Sequence, residues 1–261
     1  MKRMEKIGII GCGWLGLHLA KHLSEQYKIY CTATSEEKCS QLEKLGFESE
    51  VHTFSDVEIE SDAKPWDILK ELDAIIITIP FPKNTEFSGL RTRFENVVQF
   101  IRNFDKTIFL MSSIGIYPQI DEEMNETNVL KEYLNQNILG IENLMRNEFP
   151  QMNILRLAGL MGGSRVFSNY KISNPEQIVN HVHYEDICLI IEKMISRKMI
   201  SKTYNVVAPQ HPTKQEVIDF QTHKKDTNHL SDQKKGRKIV SSTLETELDY
   251  QFIHPDPKKF K

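Results

Sequence analysis

Short apolar runs alternate with helical patterns through the first 160 residues of this 261-residue chain. Helices are expected to begin at Pro65 and near Val129, the second of them ending before Pro150. The runs of strand length are Ile7–Ile10, Lys28–Thr32, Ala74–Ile79, Thr107–Met111 and Ile154–Leu157. Runs such as AIIITI are almost wholly apolar, which is typical of strands covered on both faces of a sheet. Because parallel strands need crossover connections, the alternation predicts an α/β fold with a doubly wound parallel sheet.

A glycine-rich turn follows the first apolar run, in the segment from Lys6 to Leu19. Gly11 permits a tight turn, Gly13 lets the backbone approach a pyrophosphate, and Gly16 lets the next helix pack closely on the strand. The first N–H groups of this helix and its positive dipole end are suited to holding phosphates. The turn predicts a Rossmann-type dinucleotide-binding domain, with a purely structural turn as the alternative. The residues expected to contact the coenzyme here are Gly11, Cys12, Gly13, Trp14, Leu15 and Gly16.

The end of the second apolar run indicates which coenzyme is bound. An acidic residue at this point accepts hydrogen bonds from the ribose 2′-OH of NAD and repels the 2′-phosphate of NADP. This chain has Thr34 and Ser35 there, with Lys38 shortly afterwards. We therefore predict NADP in preference to NAD, although Glu36 and Glu37 would repel a phosphate if they turned inward. Ser35 is also a suitable N-cap for the following helix, which is compatible with phosphate binding.

The pattern changes to shorter segments after about residue 160. We predict a dinucleotide-binding domain over 1–160 and a small α+β subdomain on the substrate side over 161–261, of which about 178–207 returns to the Rossmann core. Capping boxes predict helices that begin with Thr213 and Ser242. The polar stretch from His223 to Lys238 is interpreted as a solvated loop, with contact between Arg237 and a substrate phosphate as the alternative.

Charge and cysteine usage exclude several classes of function. The net charge of −3 gives no overall attraction to nucleic acids or anionic membranes. No run approaches the roughly 18 apolar residues needed to span a bilayer, and the early glycine-rich turn leaves no room for a signal peptide. We therefore expect a cytoplasmic protein without a nucleic-acid or membrane partner. The four cysteines form no CxxC pair, so free thiols are expected. His181 and His183 alternate along a strand and share a face, but without a third ligand in view we predict no metal.

Five segments resemble, in the same order, motifs of the extended short-chain dehydrogenases/reductases, the family of sugar-nucleotide epimerases and dehydratases. They are SSIGIY, ILRLAGLMG, VNHVHYEDI, TYNVVAPQHPT and STLETELDY. The G-x-G-W-L-G turn and the short chain are most similar to the atypical members of YeeZ type. The N-terminus also resembles the hydroxyacid dehydrogenases related to 6-phosphogluconate dehydrogenase. Those proteins continue into an all-helical second half, which the strand-like ILRLAGLMG and TYNVVA oppose.

The resemblance implies a catalytic site and, with the predicted strand ends, further coenzyme contacts. Ser113 matches the serine that polarises the substrate oxygen, and Tyr117 and Tyr133 are candidate proton donors. Leu134 and Ile138 stand where the family has its tyrosine and lysine, so the usual proton-transfer pair is absent. The further residues expected to contact the coenzyme are Ile79, Pro80, Ser112, Leu157 and Ala158.

These features predict an NADP-preferring oxidoreductase or epimerase-like enzyme acting on a small-molecule substrate. The missing tyrosine and lysine favour an alternative, a non-catalytic NADP(H)-binding redox sensor, and a hydroxyacid dehydrogenase is the second alternative. The acidic loop of Asp121, Glu122 and Glu123 is interpreted as a solvated turn or as a source of a general acid or base. A homodimer is compatible with the resemblance.

Overall fold

The computed structural model describes residues 4–60, 62–81, 86–223 and 235–261. In this part of the chain the strands are β1 (Lys6–Ile10), β2 (Lys28–Ala33), β3 (Glu48–Val51), β4 (Ala74–Ile77), β5 (Thr107–Ser113), β6 (Glu123–Met124), β7 (Asn153–Leu157), β8 (Gly159–Met161), β9 (His181–His183), β10 (Thr203–Val206) and β11 (Lys238–Ile239). The helices are α1 (Trp14–Leu23), α2 (Glu36–Glu43), α3 (Phe87–Phe100), α4 (Gln136–Glu148), α5 (Tyr184–Ser196), α6 (Lys214–Gln221) and α7 (Ser242–Leu248). Among them, no helix is long and apolar enough to cross a membrane.

Seven of the strands form one parallel sheet in the order β10-β7-β5-β4-β1-β2-β3. Within it, Ile9 of β1 lies beside Cys31 of β2 on one side and Ile76 of β4 on the other. The chain therefore builds the sheet outward from β1 in both directions, and the strand order reverses between β1 and β4. This confirms the predicted α/β fold with a doubly wound parallel sheet. Ligands of such sheets bind beyond the carboxyl ends of the strands at the point of reversal.

Close apolar packing fixes the position of β1. The Trp66 ring is buried and stacks on Phe100, with ring centroids 5.4 Å apart. A Cβ atom on Gly8 would lie 2.7 Å from both the Trp66 and Leu72 side chains. Since that distance is too short for any side chain, β1 needs a glycine here to pack against this layer.

Spatial contacts between residues divide the chain into two compact units. The first comprises Met1–Ser112, Gln136–Leu155 and Met194–Lys202, and the second comprises Ser113–Asn135, Arg156–Lys193 and Thr203–Lys261. The division differs from the predicted boundary at residue 160, because the chain leaves the first unit after β5 and returns to it for α4. β10, in the segment predicted to return to the core, is a strand of the seven-stranded sheet.

Of two predicted helices, one is replaced by a 3₁₀ turn and the other begins later than expected. In place of a helix from Pro65, the structure has a 3₁₀ turn at Leu69–Glu71. The run expected from Val129 contains a 3₁₀ turn at Lys131–Tyr133, and α4 begins only at Gln136. Burial of Trp66 in the core therefore outweighs the local preference for a helix after Pro65.

The two predicted capping boxes have different outcomes. Thr213 accepts a hydrogen bond from the N–H of Glu216, whose side chain accepts one from the N–H of Thr213, so this box is confirmed. The box predicted at Ser242 is wrong, because Ser241 occupies the N-cap of α7 and no side-chain capping bond is formed there. The Ser241 hydroxyl makes no capping bond, since it accepts from the N–H of Val207 at 2.8 Å and donates to the Val207 carbonyl at 3.1 Å.

Candidate functional site

Two threonines hold the glycine-rich turn in the first unit. Gly11 has a φ of +86°, a left-handed conformation that favours glycine. Its N–H donates to Thr32 Oγ1 at 3.0 Å, and its carbonyl accepts from Thr78 Oγ1 at 2.6 Å. The sequence analysis missed both threonines. The signal that could have identified them is their position, because each stands at the carboxyl end of a strand, β2 or β4, that flanks β1.

Gly13 and Gly16 differ in their surroundings. A Cβ atom on Gly16 would lie 3.0 Å from the Gly11 carbonyl, 3.1 Å from Thr78 Oγ1 and 3.3 Å from Ile9, as expected where the helix packs against the strand. A Cβ atom on Gly13 would meet only the Gly11 carbonyl, at 3.9 Å. The protein itself therefore does not require glycine at Gly13, whereas a pyrophosphate approaching the start of α1 would. The turn thus fits a dinucleotide.

Four further predicted coenzyme contacts lie in this part of the first unit. Ile79 packs beside the turn, its backbone nitrogen 3.6 Å from the place of a Gly11 Cβ atom. Pro80 follows it and is exposed. In α1, Leu15 is buried and Trp14 is half-buried, its ring 4.8 Å from that of His18. The strand preceding Ile79 ends at Ile77, two residues earlier than predicted.

The end of β2 carries hydroxyls and a cation near the turn. Thr34 and Ser35 are exposed, and the Ser35 hydroxyl accepts from the N–H of Lys38 at 3.3 Å, so it serves as the N-cap of α2. A hydrogen bond from the Cys31 thiol lowers the pKa of Cys12, despite its burial, and the positive charge of Lys38 acts in the same direction. The Lys38 charge therefore acts on the glycine-rich turn itself. All four cysteines are free and buried, as expected.

The two serines at the end of β5 face different surroundings. Ser112 is buried, and its hydroxyl donates to Glu142 Oε1 of α4 at 2.6 Å within the first unit. Ser113, the first residue of the second unit, is half-buried, and its Oγ accepts from the N–H of Gly115 at 3.0 Å. Successive residues of a strand point to opposite faces, so the two hydroxyls cannot act together. Within the described part of the chain the Ser113 hydroxyl only accepts, so it can donate to a ligand, whereas the Ser112 proton is engaged with Glu142.

Tyr117 is part of a buried network in the second unit. Its hydroxyl donates to Asn205 Oδ1 at 2.8 Å and accepts from Arg156 Nη1 at 3.0 Å. Burial raises the pKa of Tyr117, although Arg156 opposes this. The Tyr117 hydroxyl is thus engaged within the protein, and its catalytic role stays a prediction. Arg237 donates to the Tyr117 carbonyl and is thus engaged within the protein.

Tyr133 lies outside α4, in the turn that precedes it. Tyr133 is 63% exposed, whereas the neighbouring Leu134 is buried. Ile138 lies in the first turn of α4. The structure therefore offers no lysine for Tyr133 along this helix, and its catalytic role stays a prediction. Leu157 and Ala158 are buried at the end of β7, where the N–H of Ala158 donates to the Val206 carbonyl.

The acidic loop of Asp121, Glu122 and Glu123 borders an open cavity of about 440 Å³ in the second unit, with His211 and Lys238. Lys238 Nζ lies 2.8 Å from Glu123 Oε2, and this hydrogen bond lowers the pKa of Glu123. Asp121 Oδ1 accepts from the N–H of Gly236 at 2.7 Å. Asp121 and Glu123 therefore both accept hydrogen bonds from neighbouring residues. A carboxylate held in this way is unsuited to act as a general acid.

His181 is a buried histidine whose Nδ1 has no hydrogen-bond partner in the described part of the chain. Burial lowers its pKa to about 4, with a further contribution from Lys214. The unfolded chain takes up this proton near pH 6.5, but the folded chain excludes it down to about pH 4, so stability should fall as the pH drops through this interval. The expected loss is roughly 3 kcal/mol.

Urea unfolding at several pH values checks this expectation. The difference in unfolding free energy between the wild type and His181→Leu should shrink as the pH falls from 6.5 to 4. His223→Leu, at an exposed histidine, should not change the pH dependence. Parallel pH profiles for the wild type and His181→Leu would contradict the assignment.

Comparison with known proteins places this geometry in a family. Residues 6–137 match the model of the NAD binding domain of 6-phosphogluconate dehydrogenase. The chain is 27% identical to protein YeeZ of Escherichia coli (strain K12), over 97% of this chain and 98% of that protein.

Two solved structures show the same fold. Yeast methylglyoxal/isovaleraldehyde reductase Gre2, complexed with NADPH, has a TM-score of 0.74 at 14% identity, over 98% of this chain and 95% of that chain. dTDP-glucose 4,6-dehydratase from Bacillus anthracis, in complex with NAD, has a TM-score of 0.66 at 13% identity, over 98% and 94%.

The second half of the chain decides between the two resemblances found in the sequence. β7 to β11 follow the matched region, whereas a hydroxyacid dehydrogenase was expected to continue with helices alone. Through residues 6–137 the chain belongs to the family of the NAD binding domain of 6-phosphogluconate dehydrogenase. As a whole it is an NAD(P)-binding protein with the fold of the atypical extended short-chain dehydrogenases/reductases.

Proposed function

We propose that this protein is an NADP-preferring oxidoreductase or epimerase-like enzyme that acts on a small-molecule substrate. The observation that carries the coenzyme preference is the end of β2, where exposed Thr34 and Ser35 stand beside Lys38 and no carboxylate occupies the strand end. Glu36 and Glu37 are exposed in the first turn of α2, where they support the helix dipole. A 2′-phosphate would gain hydrogen bonds and an opposite charge at this place.

The catalytic part of the proposal depends on Ser113. A bound nicotinamide supplies or accepts the hydride. The Ser113 hydroxyl would donate a hydrogen bond to the substrate oxygen and hold the reacting carbon in line. With Leu134 and Ile138 in place of the usual pair, another group or solvent water would supply the proton. This arrangement favours slow turnover.

The alternative is an NADP(H)-binding redox sensor without turnover. It is favoured by the exposure of Tyr133 and by the engagement of the Tyr117 hydroxyl with Asn205 and Arg156. An assay of NADPH oxidation with a panel of small aldehydes and ketones separates the two. Turnover that Ser113→Ala abolishes and Ser113→Thr retains supports the enzyme, and binding without turnover on any carbonyl supports the sensor.

Coenzyme preference gives a direct prediction. Thermal unfolding should shift upward more with NADPH than with NADH at equal concentration, because only NADPH carries the 2′-phosphate. Thr34→Asp should reverse the order, since a carboxylate repels the phosphate and accepts from a free ribose hydroxyl. Thr34→Ser is the matched control and should keep the NADPH preference. Equal or greater stabilisation of the wild type by NADH would contradict the assignment.

A further inference from the structure

Two histidines and a glutamate converge in the second unit, away from the glycine-rich turn in sequence. His183 ends β9, Glu185 lies in the first turn of α5, and His254 lies in the segment after α7. One potential ligand atom of each residue lies within 4.8 Å of those of the other two. Glu185 Oε2 is the shared centre, 3.7 Å from His183 Nδ1 and 2.6 Å from His254 Nε2.

These spacings suit a small divalent ion. Zn²⁺ takes imidazole nitrogen and carboxylate oxygen at about 2.0–2.2 Å, so neighbouring ligands of a tetrahedral site lie roughly 3.3 Å apart. The observed separations of 3.7 and 2.6 Å lie on either side of this value. The two imidazole rings are already packed together, with centroids 3.8 Å apart. Side-chain rotations would bring the three atoms around one ion.

His183 and Glu185 are each oriented by a second contact. His183 Nε2 faces the carbonyl of Lys261 at 3.4 Å, which favours a proton on Nε2. Nδ1 accepts the backbone N–H of Glu185 at 3.4 Å, a bond that an ion bound at Nδ1 would replace. The Tyr184 hydroxyl donates to Glu185 Oε1 at 3.1 Å, which leaves Oε2 toward the histidines. The His183 ring is also close-packed, because a Cβ atom on Gly162 would lie 2.2 Å from Nε2. Outer contacts of this kind are typical of metal ligands.

The third ligand is fixed through its backbone. Asp186 is fully buried and accepts from the N–H groups of Ile253 at 2.8 Å and His254 at 3.1 Å. The same carboxyl group accepts from the Tyr250 hydroxyl at 2.7 Å. His254 is therefore held beside the first turn of α5 without help from an ion.

Access from solvent also suits an ion. The Glu185 side chain is 45% exposed and that of His254 is 31% exposed, which gives an ion a path from solvent.

We propose that His183, Glu185 and His254 bind one Zn²⁺ or a similar divalent transition-metal ion. Three protein ligands leave a fourth position for water or for an oxygen of a small ligand. The ion would replace the hydrogen bond between Glu185 and His254 and join the C-terminal segment to β9 and α5. This site uses none of the residues assigned to the coenzyme, so it stands apart from the proposed function.

Zinc competition tests the proposal on the full chain, freed of any affinity tag and treated with a chelator. Zn²⁺ is titrated against a chromophoric chelator in the absence of coenzyme. We expect one ion per chain, with affinity at least about 10-fold weaker in both Glu185→Gln and His254→Gln. His223→Gln, at an exposed histidine, should bind as the wild type does.

Co²⁺ in place of Zn²⁺ provides a second readout. The wild type should show the intense visible bands of four-coordinate Co²⁺, and either ligand variant should lose them. The proposal is overturned if the wild type binds no stoichiometric ion, or if the two ligand variants bind as tightly as the control. If the wild type binds no stoichiometric ion, the cluster is only an ion pair. Glu185→Gln would then lower the thermal stability equally with and without Zn²⁺.

Discussion

Replacing Gly13 with alanine is expected to weaken NADPH binding by about 10- to 100-fold, the loss of one charge-assisted hydrogen bond to the pyrophosphate. The new methyl group meets nothing closer than the Gly11 carbonyl at 3.9 Å, so it fits the protein alone. It would occupy the space through which the pyrophosphate reaches the first N–H groups of α1. The free energy of unfolding without coenzyme should therefore change by less than about 1 kcal/mol. Fluorescence titration with NADPH and urea unfolding of the same sample measure both quantities.

Gly16→Ala is the matched control for this prediction. Its methyl group would lie 3.0 Å from the Gly11 carbonyl and 3.1 Å from Thr78 Oγ1, so it should destabilise the protein by about 1–3 kcal/mol. The two variants should thus separate binding from stability. If Gly13→Ala binds NADPH as the wild type does, the turn is structural and the coenzyme assignment fails.

Removal of the buried Asp186 carboxyl group should cause a large loss of stability. Asp186→Ala leaves the Tyr250 hydroxyl and the N–H groups of Ile253 and His254 without their acceptor. Unpaired buried donors of this kind cost about 3–5 kcal/mol in total. Burial and the Asp186 carboxyl group both raise the pKa of Tyr250, which therefore keeps its proton for this bond.

A series of variants distinguishes the carboxyl group from simple loss of volume. Tyr250→Phe removes one of the three bonds and should cost about 1 kcal/mol. Asp186→Asn keeps one acceptor oxygen and should fall between Tyr250→Phe and Asp186→Ala. Asp105→Ala, at an exposed aspartate, should be nearly neutral. Urea unfolding gives all four values, and an Asp186→Ala cost no larger than that of Asp105→Ala would show that the three bonds contribute nothing net.

Local constraints made the first part of the fold predictable. The backbone requires glycine at Gly11 and close packing requires it at Gly16, so the sequence pattern alone identifies the turn. β3 was not predicted, because Glu48–Val51 is an edge strand with mostly exposed side chains and no apolar run marks it. The helix expected from Pro65 failed because Trp66 is needed in the core. Edge position and core packing are tertiary effects that a short window of sequence does not contain.

The candidate sites depended more strongly on contacts between distant residues. Thr32 and Thr78 support the glycine-rich turn only because β2 and β4 flank β1 in the sheet. Likewise, His254 meets Glu185 from 69 residues away, so no spacing in the sequence indicated a third ligand for His183. The hydrogen bonds of Tyr117 with Asn205 and Arg156 were not predicted either, since both partners come from distant strands.

A crystal structure of the chain with NADPH tests the coenzyme site most directly. We expect the pyrophosphate within hydrogen-bond distance of the backbone N–H groups at the start of α1, beside Gly13, with the 2′-phosphate near Thr34, Ser35 and Lys38. Coenzyme bound elsewhere, or none bound at a saturating concentration of NADPH, would contradict this assignment.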